Sequence, residues 1–342
     1  MRTQVDDSAL MGGIFPLRHL DGLRAGSQGA ARLGRGWHMP VELKIGTIVD
    51  AKYRVLGTIG KGGMGAVVRV EDIRIREVYA LKYCSEDESR LLKRFAREVR
   101  IMQVIQHPNV VPVLDANLDF RPPYFVMPLA EHSLEVEIDT LKGDEDEVLT
   151  AFEQVCLGVQ AVHNSGCVHR DIKPLNALRF QDGTVAVSDL GLAKIDPRDT
   201  TTLTQTDVLV GTRAYCAPEQ LMPGGSREAD ARTDVFQLGK TLYQLLTGEI
   251  PALMDLKRIP AGLAYIIRRA TREDPADRYA NLGELMDVLE YYRRSKDPMQ
   301  NPREAFESLV EQAKALLAQD QYDLDNLRQM LTILTGAISS VS

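Results

Sequence analysis

The sequence predicts an α+β fold of two unequal lobes, a small five-stranded antiparallel β lobe with one helix and a larger, mainly helical lobe. Two observations lead to this prediction. Short β-branched and aromatic runs dominate residues 53–127, with a single stretch of helical spacing among them. After Leu129 the apolar residues recur at helical spacing instead. The 342 residues suffice for a hydrophobic core in each lobe.

Five runs predict the strands of the first lobe: residues 53–56, 66–70, 78–83, 110–114 and 124–127. Between the third and fourth runs the spacing becomes helical, over residues 90–106. One face of that helix carries Leu91, Phe95, Val99 and Met102. Pro108 ends it. In the second lobe, residues 148–164 and 235–246 predict amphipathic helices.

The same patterns divide the chain into three parts. Residues 1–45, rich in Gly, Arg and Ala, predict a disordered or flexible N-terminal extension. Residues 46–295 form the two-lobed domain, with the lobe boundary near residues 130 and 131. Residues 296–342 predict a C-terminal helical extension, either a hairpin packed on the preceding domain or a surface for a partner or a second copy.

The composition is that of an ordinary soluble protein, with 44% apolar and 26% charged residues and a formal net charge of -7. This balance gives no indication of nucleic-acid binding. No apolar stretch reaches the ~18 residues of a membrane span, and the apolar residues 9–17 lack the basic region that precedes a signal-peptide core. The four cysteines show no CxxC or zinc spacing, so free thiols in the cytoplasm are expected.

A glycine cluster follows the first predicted strand, in the pattern Gly60-x-Gly62-x-x-Gly65-x-Val67. This spacing alone is weak evidence for a phosphate site, and a dinucleotide fingerprint would require a helix after it. A strand follows here, which predicts a hairpin flap whose N–H groups face phosphate oxygens. A glycine-rich hairpin without a ligand is the other interpretation.

Lys82 lies near the end of the third predicted strand among apolar neighbours, where an ammonium group needs an anion nearby. Glu98, on the helix that follows, is the candidate. The pair is either a structural salt bridge or a device that holds Lys82 against phosphate groups.

Three more motifs follow in order: His169-Arg170-Asp171-Ile172-Lys173-Pro174-Leu175-Asn176, Asp189-Leu190-Gly191 and Ala217-Pro218-Glu219. With the glycine cluster and Val78-Tyr79-Ala80-Leu81-Lys82, they match the order of motifs in protein kinases. Over residues 53–289 the sequence resembles the bacterial eukaryotic-like (Hanks-type) serine/threonine protein kinases. The resemblance implies the bilobal protein kinase fold and transfer of the γ-phosphate of ATP, with Mg²⁺, to Ser or Thr hydroxyls of protein substrates.

For catalysis, the resemblance implies that Asp171 accepts and orients the substrate hydroxyl and that Lys173 contacts the transferring phosphate. Asn176 and Asp189 would hold the Mg²⁺ ions. Asp234 would brace the catalytic loop. These residue types suit phosphoryl transfer, which needs positioning and charge neutralisation above all.

For ATP binding, the resemblance implies that Glu98 holds Lys82 against the α- and β-phosphates, under the three glycines. Contacts with adenine are implied for six residues: Val67, Ala80, the gatekeeper Met127, the hinge residues Pro128 and Ala130, and Leu178. Pro128 has no N–H, so it would offer only its carbonyl, and Ala130 would supply the donor.

The resemblance also bears on specificity and regulation. Lys173 and Thr212 are typical of Ser/Thr rather than Tyr kinases. Arg170 implies a phosphorylated activation segment, for which Thr204 and Thr206 are the autophosphorylation candidates. A solvated threonine-rich loop is the other interpretation.

Two departures from the family pattern stand out. Leu190 replaces the usual Phe, which keeps the position apolar. The segment between Gly248 and Leu263 is short, and it lacks a helix that helps family members dock substrates. A pair of Glu219 with Arg278 is expected in the lower lobe.

Two other functions compete with this one. A pseudokinase scaffold should have lost Lys82, Asp171 or Asp189, and all three are present. A small-molecule phosphotransferase should lack Ala217-Pro218-Glu219 and a threonine-bearing activation segment. Expected partners are therefore protein substrates, with no nucleic acid or membrane span, and a homodimer through the N-lobe or the C-terminal helices is possible on the sequence.

Overall fold

The computed structural model describes residues 41–62, 65–86, 88–190, 213–222 and 229–296. The small lobe contains β1 (Ile48–Val49), β2 (Tyr53–Gly62), β3 (Gly65–Asp72), β4 (Val78–Cys84), α1 (Ser89–Val104), β5 (Asp115–Asn117) and β6 (Tyr124–Pro128). These strands form one antiparallel sheet in the order β1-β2-β3-β4-β6-β5. The predicted α+β class, with a sheet-rich lobe before a helical lobe, is confirmed.

The sheet differs from the prediction in two places. It has six strands among the described residues, because the two-residue β1 pairs with the start of β2 and is too short to leave a sequence pattern. The predicted strand over residues 110–114 is wrong, and the strand at this point is β5. Val110 and Val111 instead bond to Val187 of the large lobe, through an isolated bridge and a backbone bond from Val111 N to Val187 O.

The sheet separates two hydrophobic cores. Alternate residues of a strand face opposite sides, so Leu81 and Tyr83 of β4 lie in the outer core while Ala80 and Cys84 lie in the inner core. Lys82 shares the inner face with Ala80. The inner core takes in the buried face of α1 and continues into the large lobe, so the sheet presents Lys82 to the space between the lobes.

The large lobe contains β7 (His132–Ser133), α2 (Leu134–Leu141), α3 (Glu145–Asn164), β8 (Ala177–Arg179), β9 (Val185–Val187), α4 (Pro218–Leu221), α5 (Ala231–Thr247), α6 (Ala261–Ala270) and α7 (Leu282–Lys296). The strands form a small sheet in the order β7-β8-β9. The helices predicted over residues 148–164 and 235–246 are α3 and α5, each starting earlier than expected. Asp144 and Asp230 cap their first turns by accepting bonds from Glu147 N and Arg232 N.

Helix α5 forms the centre of the large lobe. Its buried residues include polar side chains as well as apolar ones: Thr233, Asp234, Gln237, Thr241 and Gln244. Gly248 ends the helix in the left-handed conformation, with φ of 77°. Buried polar groups need partners, and two of those on α5 find them in the loop that carries Asp171.

The connection from α5 to α6 is short, as expected from the sequence. Residues 249–260 contain one 3₁₀ turn, Leu256–Arg258, and no α-helix. Leu253 of this connection is 90% exposed.

Within the described ranges, no helix has the length and apolar character required to span a bilayer. Several sequence predictions fall outside these ranges: the N-terminal extension up to residue 40, the residues from 297 onward, and Gly191, Thr204, Thr206 and Thr212.

Candidate active site

The loop between α3 and β8 brings Asp171, Lys173 and Asn176 together. Lys173 Nζ lies 3.3 Å from Asp171 Oδ2. Asn176 Nδ2 donates to the main-chain oxygen of Asp171 at 2.8 Å and to its Oδ2 at 3.0 Å. The two bonds from Asn176 fix both the backbone and the carboxylate of Asp171. The three residues singled out from the sequence therefore form one constellation.

Asp234 braces this loop from below, as expected. Its carboxylate is fully buried and accepts bonds from His169 N and Arg170 N, each at 2.7 Å. His163 Nε2 lies 2.7 Å from the same carboxylate. Arg170 has a φ of 68°, a conformation that costs free energy for a residue with a side chain. The bonds to Asp234 offset that cost.

Gln237, one turn after Asp234 on α5, is a second brace that sequence reasoning missed. Its Oε1 accepts from Ile172 N at 2.8 Å and its Nε2 donates to Arg170 O at 3.0 Å. The spacing of Asp234 and Gln237 puts both on one helix face. That spacing was the only feature of the sequence that pointed to this role of Gln237. It is a weak feature, because side-chain amides occur one turn from a carboxylate on helices for other reasons.

His169 lies at the start of this loop as a buried imidazole. Its side chain is fully buried, and burial lowers the pKa of His169 below its ordinary value. Asp171 N lies 3.4 Å from His169 Nδ1, which therefore acts as an acceptor. A neutral imidazole adds no positive charge beside the Asp171 carboxylate.

Lys82 binds two carboxylates from different parts of the fold. Its Nζ lies 3.0 Å from Glu98 Oε1 on α1 and 2.7 Å from Asp189 Oδ1 after β9. Burial alone would discharge the ammonium group, but Asp189 and Glu98 raise the pKa of Lys82 above its ordinary value. The Glu98 pairing was expected, whereas the contact with Asp189 was not.

Asn176 and Asp189 offer ligands that suit Mg²⁺. Ser188 N donates to Asn176 O at 2.8 Å, which ties the two segments together. Asn176 directs its amide N–H toward Asp171, so its Oδ1 remains as an acceptor, and the Asp189 side chain is 43% exposed. One carboxylate and one amide oxygen suit a hard cation that also binds phosphate oxygens. Within the described residues, no group of three or more His, Cys, Asp or Glu side chains forms a metal cage by itself.

The glycine cluster is a hairpin between β2 and β3, which rules out the strand-to-helix turn of a dinucleotide fingerprint. A side chain at Gly65 would place its Cβ 1.9 Å from Tyr83 O, so this glycine is needed for the approach of β3 to β4. At Gly60 the same atom would meet nothing within 4 Å. Packing explains Gly65 but not Gly60, whose open face is available to a ligand.

Four of the six residues implied to hold adenine share one apolar cluster. Ala80 and Met127 are cross-strand partners on β4 and β6, and both are buried. Val67 and Leu178 are partly buried against the same cluster. Pro128 ends β6 and Ala130 lies two residues beyond it, before Glu131 N bonds to Arg179 O and so joins the hinge to β8.

A buried ion pair fixes the segment that contains Ala217-Pro218-Glu219. Arg278, whose side chain is fully buried, bonds to Glu219 Oε1 at 2.7 Å and to its Oε2 at 2.8 Å. Burial opposes the Glu219 charge, but its bonds with Arg278 and Thr233 lower the pKa of Glu219 below its ordinary value. The expected pair is present, and its bidentate geometry anchors α4 to the lobe.

The sequence is similar to those of known protein kinases. A family model described as a protein kinase domain matches residues 53–311. The serine/threonine-protein kinase PknL of Mycobacterium tuberculosis is 32% identical over 259 residues, which cover 68% of this chain and 64% of PknL. PrkC of Bacillus subtilis, also a serine/threonine-protein kinase, is 32% identical over 260 residues, which cover 69% of this chain and 39% of PrkC.

Among solved structures, the PknI kinase domain of Mycobacterium tuberculosis has the same fold, with a TM-score of 0.54 and 24% identity. The match covers 73% of this chain and 99% of that domain. The chain thus covers nearly the whole of that solved domain, and less than two thirds of the length of PknL and PrkC.

Proposed function

Because the chain belongs to the protein kinase family, in its bacterial serine/threonine branch, we propose that it transfers the γ-phosphate of ATP to serine or threonine hydroxyls of proteins. The observation that carries this proposal is that two sets of contacts, one around Lys82 and one around Asp171, are present together. Lys82 contacts Glu98 and Asp189 at 3.0 and 2.7 Å, and Asp171 is fixed by Asn176 at 3.0 Å. These contacts support a phosphoryl-transfer site with Lys82 on one side and Asp171 on the other.

In this proposal each residue has one task. Lys82, held by Glu98, binds the α- and β-phosphates. Asp171 orients the acceptor hydroxyl and takes its proton, while Lys173 stabilises charge on the transferring phosphate. Asn176 and Asp189 hold Mg²⁺, which neutralises phosphate charge when it is bound.

The nucleotide base is proposed to lie between the hairpin and β8. Val67 and Ala80 would cover it from the small lobe, and Leu178 from the large lobe. Met127 would limit the depth of the pocket. Pro128 O and Ala130 N would bond to the edge of adenine, and the glycines Gly60, Gly62 and Gly65 would leave room for the phosphates beside it.

A transfer assay with labelled ATP tests the function. The wild type should label proteins and leave small alcohols unlabelled, since the anchored segment around Glu219 supports a protein kinase rather than a small-molecule phosphotransferase. Asp171→Asn should lower the rate by about 10²–10⁴-fold and retain ATP binding, because Lys82 and the hairpin are unchanged. Near-normal transfer by this variant would contradict the role of Asp171, and labelling of alcohols alone would favour the other enzyme class.

We further propose that Thr204 and Thr206 are autophosphorylated. Support comes from Arg170: among the residues that the structure describes, its buried Nε has no hydrogen-bond partner, and its Nη2 makes a long bond of 3.4 Å to Ala229 O. A phosphate on the activation segment would give this guanidinium a partner. Intact mass before and after phosphatase treatment measures this, and an unchanged mass with active enzyme would contradict it.

Docking, assembly and location remain proposals as well. The short connection after Gly248 supports substrate docking that differs from that of relatives with a helix there.

A homodimer through the N-lobe or the C-terminal helices can be measured by light scattering, and deletion after Pro298 should abolish it if those helices form it. A cytoplasmic location for the catalytic domain predicts that protease added to intact cells leaves it uncut.

A further inference from the structure

The segment before the first strand, residues 41–43, crosses the outer face of the small-lobe sheet. Val41 N donates to Ser85 O at 3.2 Å, just after β4, and Leu43 N donates to Tyr83 Oη at 3.2 Å. The Leu43 side chain is 8% exposed and belongs to the outer core. Two hydrogen bonds from backbone N–H groups, one to a backbone oxygen and one to a tyrosine hydroxyl, and one buried side chain thus hold this segment, hereafter the strap, on the sheet.

Between those two anchors the strap reaches the glycine hairpin. Glu42 Oε1 lies 2.6 Å from Lys61 Nζ. Lys61 stands next to Gly62 on β2 and pairs with Ala66 across the hairpin. Glu42 is therefore the side chain through which the strap holds the hairpin near its tip.

The directions of the pKa shifts of Glu42 and Lys61 agree with an ion pair between them. The hydrogen bond and charge of Lys61 lower the pKa of Glu42, and Glu42 raises the pKa of Lys61. Both side chains are exposed, at 57% for Glu42 and 66% for Lys61, so the solvent screens the pair and its effect is small. It joins the β2 arm of the hairpin to a segment that is anchored at Val41 and Leu43.

We propose that Glu42 is a positioning residue for ATP, which acts through Lys61 to keep the glycine hairpin in the conformation that receives the phosphates. A Cβ at Gly60 would meet nothing within 4 Å, so the β2 arm of the hairpin is loosely packed near Lys61, whereas the β3 arm pairs with β4 at Gly65 and Ala66. Without the contact, the hairpin samples more conformations, and ATP binding must order it. The strap itself touches neither ATP nor the reacting atoms.

This inference rests on the proposed function, because it needs ATP beneath the hairpin. The experiment measures the Kd of Mg²⁺-ATP by fluorescence titration, together with kcat and KM, for Glu42→Gln, Lys61→Met and the double variant. Each single change should raise Kd and the KM for ATP about two- to fivefold, the range that exposed ion pairs reach. The double variant should be no worse than either single one, kcat should stay within about twofold, and high salt should reduce the wild-type advantage.

Two control variants separate positioning from general stability. Glu42→Asp should retain most of the affinity. Glu71→Gln removes a carboxylate that pairs with Arg54 at 3.1 Å across β2 and β3, away from the tip, and should leave Kd and KM unchanged. An additive double variant, an unchanged or lowered KM in Glu42→Gln, or an equal rise in Glu71→Gln would overturn the proposal. Failure of the wild type to bind ATP would instead overturn the proposed function.

Discussion

The catalytic loop and the glycine hairpin are held in opposite ways. The loop around Asp171 rests on Asp234 and Gln237, which are buried on the central helix of the large lobe and bond to its backbone. The β3 arm of the hairpin pairs with β4, whereas the side-chain contact that holds the β2 arm near the tip, among the residues that the structure describes, is an exposed ion pair of Glu42 with Lys61. Buried hydrogen bonds in a low dielectric are costly to break, whereas exposed pairs are not. The fold therefore holds the loop that is proposed to carry the chemistry more firmly than the β2 arm of the hairpin that is proposed to cover the nucleotide.

The largest effect expected from this comparison follows from removing the brace under the catalytic loop. Asp234→Asn places an amide N–H₂ against donors that now face a carboxylate, and leaves buried N–H groups of His169 and Arg170 poorly satisfied. We expect kcat to fall about 10²-fold or more because the loop moves, while the Kd for ATP changes little. Steady-state kinetics and nucleotide titration measure both quantities.

The matched control for that variant is Asp287→Asn, at an exposed position of α7, which should behave as wild type. If Asp234→Asn weakened ATP binding as much as turnover, the loop and the hairpin would not be independent, and the contrast drawn between them would fail.

The next effect concerns stability and its dependence on pH. Glu219→Gln leaves Arg278 buried without its counter-charge, which we expect to cost roughly 3 kcal/mol at pH 7. The pKa of Glu219 in the folded protein is below its ordinary value of 4.5, so the charged pair stabilises the fold above that value. The stabilisation is lost as the pH falls below about 4.5, through the lowered folded-state pKa.

Denaturant unfolding of wild type and Glu219→Gln at pH 7 and at pH 4 or lower measures this. The difference in unfolding free energy should shrink at the acidic pH. Glu284→Gln is the control, because Glu284 lies 3.8 Å from Arg269 and both side chains are partly exposed. A difference that persists unchanged in acid would show that the pair does not depend on the Glu219 charge.

A smaller effect distinguishes two glycines of the hairpin. Gly65→Ala forces β3 away from Tyr83 O, and we expect it to lower the unfolding free energy by about 1–3 kcal/mol. Gly60→Ala meets no atom within 4 Å, so the stability should hold while the KM for ATP rises. Thermal unfolding together with KM separates the two. Equal destabilisation by both variants would mean that Gly60 also has a packing role.

The smallest effect is that of the strap variants. Their expected two- to fivefold change in ATP affinity reflects the exposure of the pair. If Glu42→Gln instead weakened ATP binding by as large a factor as Asp234→Asn lowers kcat, the hairpin would be held as firmly as the catalytic loop.

Much of the site could be predicted from the sequence, because phosphoryl transfer restricts which residues can serve. Lys82 with Glu98, Asp171 with Asn176, and Glu219 with Arg278 are all brought together as expected. The sequence did not reveal the bond between Lys82 and Asp189, which joins residues 107 positions apart. It also did not reveal Gln237, since a side-chain amide that bonds to a distant backbone leaves no periodic pattern.

The fold was predictable where the hydrophobic periodicity was strong, as in α3 and α5. The prediction was wrong where apolar residues pack against the other lobe and not within a sheet. Residues 110–114 read as a strand because they are apolar, yet Val110 and Val111 are buried against Val187 of the other lobe. Burial between lobes and burial in a sheet select the same residue types. The two-residue β1 was missed because two residues cannot establish an alternation.

The strap also has a mechanical consequence. Forty residues precede Val41 in the sequence, and the next residue, Glu42, is already in contact with the hairpin. A load applied to the chain before Val41 would therefore meet the Val41 N–Ser85 O bond first and the pair of Glu42 with Lys61 next, before it reached the buried anchor of Leu43. Because the ion pair of Glu42 with Lys61 is exposed and weak, a small load would break it and free the hairpin from the strap. The catalytic loop would be undisturbed.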